Sequence, residues 1–328
     1  MNRRLPVARL AASLTRLVAR RIAAGVLVLL AVSVLVFVAT ETAPGDAATV
    51  SLGPNADAAL IAARRTELGL DRPAPLRYLS WLTGAVRGDF GVSYASRTPA
   101  ADLIAARIGN SLVLGLTAAL LLLPLATGLG TWAGLRAGRS TDHVVSASTL
   151  VLVSVPEFVT GTLLVLIFAV GLGWLPAVSF LPPEVGPLDR PLILVLPVVT
   201  LLAGCLAHTT RLVRAGVAQA SAADAAETAR LNGVPESRVV WRYILPAALP
   251  PVVPLFARYL TLLLGGALVV ETLFGYPGLA SALVGAAAAR DVPVVQAVAL
   301  IVAAVTVLVN LAGDLLGVAL DPLRRLPT

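Results

Sequence analysis

The chain has 328 residues, 58% of them hydrophobic and 13% charged, with a mean hydropathy of +0.89, a balance far from that of soluble domains and typical of integral membrane proteins. Its net charge of +7 comes from arginine alone, since no lysine occurs; this excludes a P-loop ATPase, whose lysine holds nucleotide phosphates, and a Schiff-base enzyme, which needs an amine. A single cysteine, Cys205, excludes an internal disulfide, a thiolate zinc site and a CxxC pair, and His143 and His208 stand in no HExxH pattern, against a metalloprotease.

The first 21 residues carry Arg3, Arg4, Arg9, Arg16, Arg20 and Arg21 and no acid, and Ile22 to Thr40 is then an uncharged apolar run. At ~1.5 Å per residue such a run crosses a hydrocarbon core, and the arginines place its amino terminus inside. The run exceeds the apolar region of a cleaved signal peptide, so a retained span is expected. Residues 41–110 hold seven arginines and seven acids, a balance that suits a translocated loop; short helices are expected near 57–68 and 74–86, the second with Tyr78 and Trp81 at the interface.

A second span is predicted over about 111–135, returning to Arg136, Arg139, Asp142 and His143. A third, about 144–173, contains Pro156 and Glu157 and ends at Trp174 outside. After a proline-rich outer loop, 180–190, a fourth runs over 191–208 and ends at Arg211 and Arg214, whose side chains are long enough to reach headgroups. A fifth covers 246–270, residues 271–293 form an outer segment, and a sixth covers 294–318. The expected fold is an all-α integral membrane protein of about six transmembrane helices with both termini cytoplasmic. Residues 1–110 form the amino terminus, first helix and long outer loop, and 111–328 a core of five helices.

Between the fourth and fifth spans lies a polar stretch, Ser221 to Pro246, too charged to cross a bilayer. Ser221 and Asp224 have capping-box spacing, the following residues favour helix, Gly233 suits a left-handed terminus and Pro235 the start of a second helix. Helix, bend, helix is the predicted order, and on spacing alone it reads as well as a plain connecting loop as it does as a docking element.

With these spans in place, Glu227, Thr228, Ala229, Gly233, Tyr243, Leu245 and Pro246 resemble the EAA motif of ABC importer permeases, with Thr228 and Tyr243 departing from it. The segments 68–73, 78–82, 87–93, 154–159, 172–177, 269–279, 309–311, 314–316 and 320–324 are similar to permeases for dipeptides, oligopeptides and nickel. The resemblance implies a type I ABC importer transmembrane domain whose cytoplasmic coupling helix, within 221–246, docks on a separate ATP-binding subunit. It implies two such ATPase subunits, a second homologous permease, an extracellular substrate-binding protein and the lipid bilayer as partners. No cofactor, metal, catalytic residue or nucleic-acid partner is implied.

On that reading Ala225, Ala226 and Ala229 allow close approach to the ATPase, Glu227 and Arg230 supply polar contacts, Gly233 the bend, and Leu245 and Pro246 the motif's end. Glu157, deep in the third span, either lines the translocation path or is a structural or protonated acid, and Arg258, at similar depth in the fifth, is its candidate partner. Glu271 is either a gate or docking element or an ordinary interfacial carboxylate. Asn310 and Asp314 share a helical face suited to packing, His208, Cys205 and the tryptophans read as structural, and Gly115, Gly128, Gly130, Gly134, Gly265 and Gly266 as marks of close helix packing. The competing function is a secondary transporter or channel working without an ATPase, and an inverted repeat, which would favour it, is not visible in the chain.

Overall fold

Apolar runs of spanning length build most of the molecule, and the turns between them carry its polar chemistry. A computed structural model describes residues 7–43, 45, 47–53, 56–182, 185–252, 259 and 267–320. In chain order the elements are α1 (Val7–Thr42), α2 (Ala47–Leu52), α3 (Ala58–Glu67), α4 (Ala74–Val86) and α5 (Ala100–Gly134); then α6 (Ser140–Ser154), α7 (Glu157–Leu164) with a π-helical extension over Val165–Gly171, and α8 (Leu192–Ser221). Next come α9 (Asp224–Leu231), α10 (Glu236–Val239) running through a π turn (Val240–Ile244) into α11 (Leu245–Ala248), and finally α12 (Leu268–Leu273), α13 (Leu279–Ala288) and α14 (Val292–Leu320). Among the described residues there is no strand beyond one antiparallel bridge, Val92 with Pro99.

The fold is all-α, as expected. Stretches within α1, α5, α8 and α14 are each long and apolar enough to cross a membrane, and α6 with α7 makes a fifth crossing if the bent pair is one span. The predicted fifth span, 246–270, and with it Arg258, Gly265 and Gly266, lies largely outside the described residues. The short helices expected near 57–68 and 74–86 are present as α3 and α4.

The frame is the pair α5 and α8, packed along most of their length. Glycine sets their approach. A Cβ at Gly130 would stand 2.6 Å from the Val213 Cβ, and one at Gly134 would stand 2.8 Å from the Arg214 carbonyl oxygen. With hydrogen alone at these positions the backbones close up, and the gain is van der Waals contact, since lipid is as apolar as a leucine side chain. Gly115 is also buried in α5, whereas Gly128 faces open space. The peripheral helix α1 packs on α14, with Gly25 against Val307, and keeps Leu27 and Leu35 68% and 67% exposed, the surface a lipid-facing helix presents.

Two sequence expectations give way. The third span is not one straight helix: α6 and the Glu157–Gly171 segment meet at 107°. Proline is the reason, because Pro156 offers no N–H and drives Val155 out of the helical region, to φ −93°, ψ 125°. Arg214, expected to reach headgroups, instead forms a paired contact with Asp142, which is 2% exposed. Arg214 Nε donates to Asp142 Oδ1 at 2.8 Å, and the Gly138 N–H donates to Oδ2 at 2.9 Å, so the α5–α6 turn is tied to α8.

Helix α5 runs from the bond of the Ala100 N–H to the Gly91 carbonyl at one end to the Val217 contact at the other, roughly 50 Å by helical rise. The long 41–99 segment and the α8–α11 turn region therefore lie at opposite ends of the bundle.

Candidate functional site

The polar stretch folds as helix, bend, helix, but not with the predicted cap. Helix α8 continues to Ser221 instead of ending at His208, and α9 begins at Asp224 with Ala223 in the cap position and no side-chain cap bond. Ser221 is occupied otherwise: Arg230 Nη1 donates to its carbonyl at 2.8 Å and Nη2 to its Oγ at 3.0 Å. The same guanidinium donates from Nε and Nη2 to Glu236 at 3.0 and 2.9 Å. Arg230 thus bridges the end of α8, α9 and the start of α10, and its hydrogen bonds hold the Glu236 carboxyl below its ordinary value of 4.5. Gly233 closes α9 at φ +73°, a backbone state that costs glycine nothing, and Pro235 caps α10.

Burial sorts the predicted residues into two faces. Ala226 and Ala229 are 1% and 5% exposed and pack with Val213, Val217, Val239, Ile244, Leu245 and Ala248. Their small size serves close packing on the chain's own helices, a correction to their assignment as the approach surface. Leu245 is buried in the same cluster and Arg230 is committed to its internal clasp. Beneath them Gly216 lets α8 approach α11, a Cβ there standing 2.9 Å from the Ala248 carbonyl. Ala225, Glu227, Thr228, Gly233 and Pro246 face outward.

Two residues the motif reading passed over complete the outer face. Leu231 is 82% exposed and Trp241 75% exposed, large apolar side chains in a stretch otherwise polar and charged. The signal was in the sequence: an apolar residue at the end of an Asp-Ala-Ala-Glu-Thr-Ala-Arg helix, three positions from Thr228 and four from Glu227, shares their face.

Elsewhere, Glu157 is the first residue of α7, partly buried, in the bend left by Pro156 and at the positive end of that helix. Its proposed partner Arg258 is outside the described residues, and so is the side chain of Asp314. Cys205 lies in a core cluster with Leu202 and Phe274, and His208 stacks on Tyr259 with ring centroids 6.3 Å apart. No cluster of metal-ligating side chains occurs among the described residues.

Glu271 is neither a gate at the surface nor an ordinary interfacial carboxylate, since it is 1% exposed. Ser111 Oγ on α5 donates to its Oε1 at 2.6 Å, and the N–H groups of Ala280 and Ser281 donate to Oε2 at 2.7 and 3.1 Å. The carboxylate thereby caps α13 and fastens it to α5. The turn between is fastened too, by Tyr276 OH donating to the Asn110 carbonyl at 2.8 Å and Asn110 Nδ2 to the Pro277 carbonyl at 2.9 Å. A Cβ at Gly278 would run into the Glu271 carboxylate.

With this geometry in view, comparison with known proteins places the chain. Residues 126–326 match the family described as binding-protein-dependent transport system inner membrane component, and residues 14–115 match the amino-terminal domain of such membrane components. The chain is 37% identical to the glutathione transport system permease protein GsiC of Escherichia coli strain K12 over 294 residues, 90% of this chain and 94% of the relative. It is 34% identical to the oligopeptide transport system permease protein AppB of Bacillus subtilis strain 168 over 306 residues, 92% of this chain and 97% of the relative. Matches of this extent, on an all-α chain of several apolar spans, describe a multi-pass inner membrane protein. The chain belongs to the family of binding-protein-dependent transport system inner membrane components, the permeases of ABC importers.

Proposed function

We propose that this permease carries short peptides or a peptide-like solute such as glutathione, itself a small tripeptide, and that the outward face of α9 is where a separate ATP-binding subunit docks. The relatives' names support the cargo class. The docking reading rests on one observation: Leu231 stands 82% exposed on a short helix whose other face is buried in its own bundle. An exposed leucine flanked by Glu227 and Thr228 has the makeup of an interface anchor with a polar rim.

On this reading the chain has no ATPase site of its own, and it assembles with a second, homologous permease, two ATP-binding subunits and an external binding protein. Both termini are cytoplasmic, residues 1–110 supply the first helix and the outer loop, and 111–328 supply the translocating core, with 221–246 as the coupling segment. Force applied at α9 passes through the Ala226–Ala229 packing to α8 and through the Arg230–Glu236 clasp to α10 and α11. Glu157, in the α6–α7 bend, is the residue of the core best suited to meet a cationic group on the cargo.

The test is co-purification with the ATP-binding subunits. Leu231→Asp and Glu227→Arg are expected to lower recovery of the ATPase at least tenfold while the permease itself folds, and Gly233→Pro, which cannot adopt φ +73°, to abolish it. Full assembly and uptake in all three variants would overturn the docking surface, and transport in vesicles without ATPase would favour a secondary transporter instead.

A further inference from the structure

At the end of the bundle remote from α9, the last turn of α1, the α3–α4 pair and the start of α14 enclose a cavity of about 1250 Å³. Its walls are unusually rich in donors. Five arginines line it, Arg64, Arg65, Arg72, Arg77 and Arg97, against three carboxylates. Two of those carboxylates are already paired, Glu67 with Arg64 at 2.7 Å and Glu41 with Arg77, and the third, Asp89, accepts from the Gly91 N–H at 2.9 Å. Arg72 and Arg97 make no ion pair among the described residues.

Three buried atoms in the same walls, Arg64 Nε, Arg77 Nε and Trp81 Nε1, have no hydrogen-bond acceptor among the described residues. Arg64 as a whole is only 8% exposed. All three are donors, and a buried donor without an acceptor is costly; with Arg65 also near Asp71 at 3.5 Å, the arginines of the cavity still outnumber its carboxylates five to three. The remaining wall mixes polar side chains, Thr40, Ser80, Ser93 and Gln296, with aromatic ones: Phe37 of α1 lies 6.4 Å from Trp81, centroid to centroid, and Tyr78, behind the wall, packs against both. Below this level α1 presents exposed Val34, Leu35 and Val38, so the cavity sits where a lipid-facing surface ends. Guanidinium groups beside Trp and Tyr at such a boundary have the chemistry of a phosphate site at headgroup depth.

We infer that this cavity binds a phosphate oxyanion, with the exposed guanidinium groups of Arg72 and Arg97 as direct donors and Arg64 and Arg77 adding positive charge behind them. The phosphate is that of an anionic phospholipid headgroup or a free phosphate ion, and the two sources are separable. The purified full chain is titrated with inorganic phosphate in detergent and its melting temperature followed; it is also placed in nanodiscs of phosphatidylglycerol or of phosphatidylcholine, and retained lipid is read by native mass spectrometry. Wild type is expected to be stabilised by phosphate and to retain phosphatidylglycerol. Arg72→Gln and Arg97→Gln are each expected to weaken that response about tenfold, the loss of one charge-assisted donor. Both residues are exposed and make no ion pair among the described residues, so both variants are expected to fold. Selective retention of phosphatidylglycerol identifies the lipid; a phosphate response with no lipid preference identifies the free ion. Absence of any response in wild type, an equal response in both variants, or a response to acetate with none to phosphate would overturn the site.

Discussion

Glu271 shows how one side chain settles the local architecture. Its two oxygens accept three hydrogen bonds, from Ser111, Ala280 and Ser281, in a setting that water does not reach. Glu271→Ala would orphan all three donors, each costing about 1–3 kcal/mol when buried, so a loss of about 3 kcal/mol or more is expected. Glu271→Gln, which keeps one acceptor oxygen but turns an amide N–H₂ toward donors, should fall between. Thermal unfolding of the detergent-purified protein reads the loss, and protease cutting at 276–281 should rise with it; unchanged melting in Glu271→Ala would remove the latch. In the sequence Glu271 is visible as an acid before a Tyr-Pro-Gly turn, but its partner Ser111 lies 160 positions away, and no local pattern joins them.

At the scale of the element, the α9–α10 unit is held by the Arg230 clasp as much as by helix propensity, since α10 is only 4 residues long before its π turn. The clasp has a pH dependence whose sign follows from Glu236. Its folded carboxyl titrates below the ordinary 4.5 because Arg230 hydrogen-bonds the charged form. The contribution to order is therefore complete above about 4.5 and is lost as pH falls through the lowered folded value. Intrinsic-rate-corrected hydrogen exchange at 232–236 should be flat from pH 7 to 5 and accelerate below 4.5, whereas Arg230→Gln should exchange fast throughout. Equal protection in that variant at pH 7 would mean that the clasp orders nothing. The bend itself was legible, because Gly233 and Pro235 dictate it whatever surrounds them. The cap was not: Ser221 has capping-box spacing, but burial of Val213 and Val217 carries α8 onward and Arg230 takes the serine oxygen.

For the whole molecule, the α5–α8 interface is the structural constant between the two ends of the bundle. Gly134→Leu would drive a side chain into the Arg214 backbone and Val217, which neither helix can yield without losing the contact, and loss of a monodisperse peak in size-exclusion chromatography is expected. Gly128→Leu, at a position facing open space, should elute as wild type. Equal behaviour of the two variants would show that glycine spacing does not set this packing. The same frame carries the Asp142–Arg214 pair, so the α5–α6 turn and the base of the 221–246 stretch are joined through α8.

By itself the sequence determined the class of the protein, most of its spans, the two short helices α3 and α4 and the family, because hydropathy over some 20 residues and the residue types at turns act locally and need no partner. Tertiary structure alone decided which face of α9 is free, that Ala226 and Ala229 pack inward, that Arg214 meets Asp142, that Glu271 is buried and that five arginines converge on one cavity. Each of these depends on side chains brought together from distant parts of the chain. Whether an alanine, an arginine or a carboxylate ends at a surface or in a contact is set by what the fold lays against it, and periodicity reports only the face of its own helix.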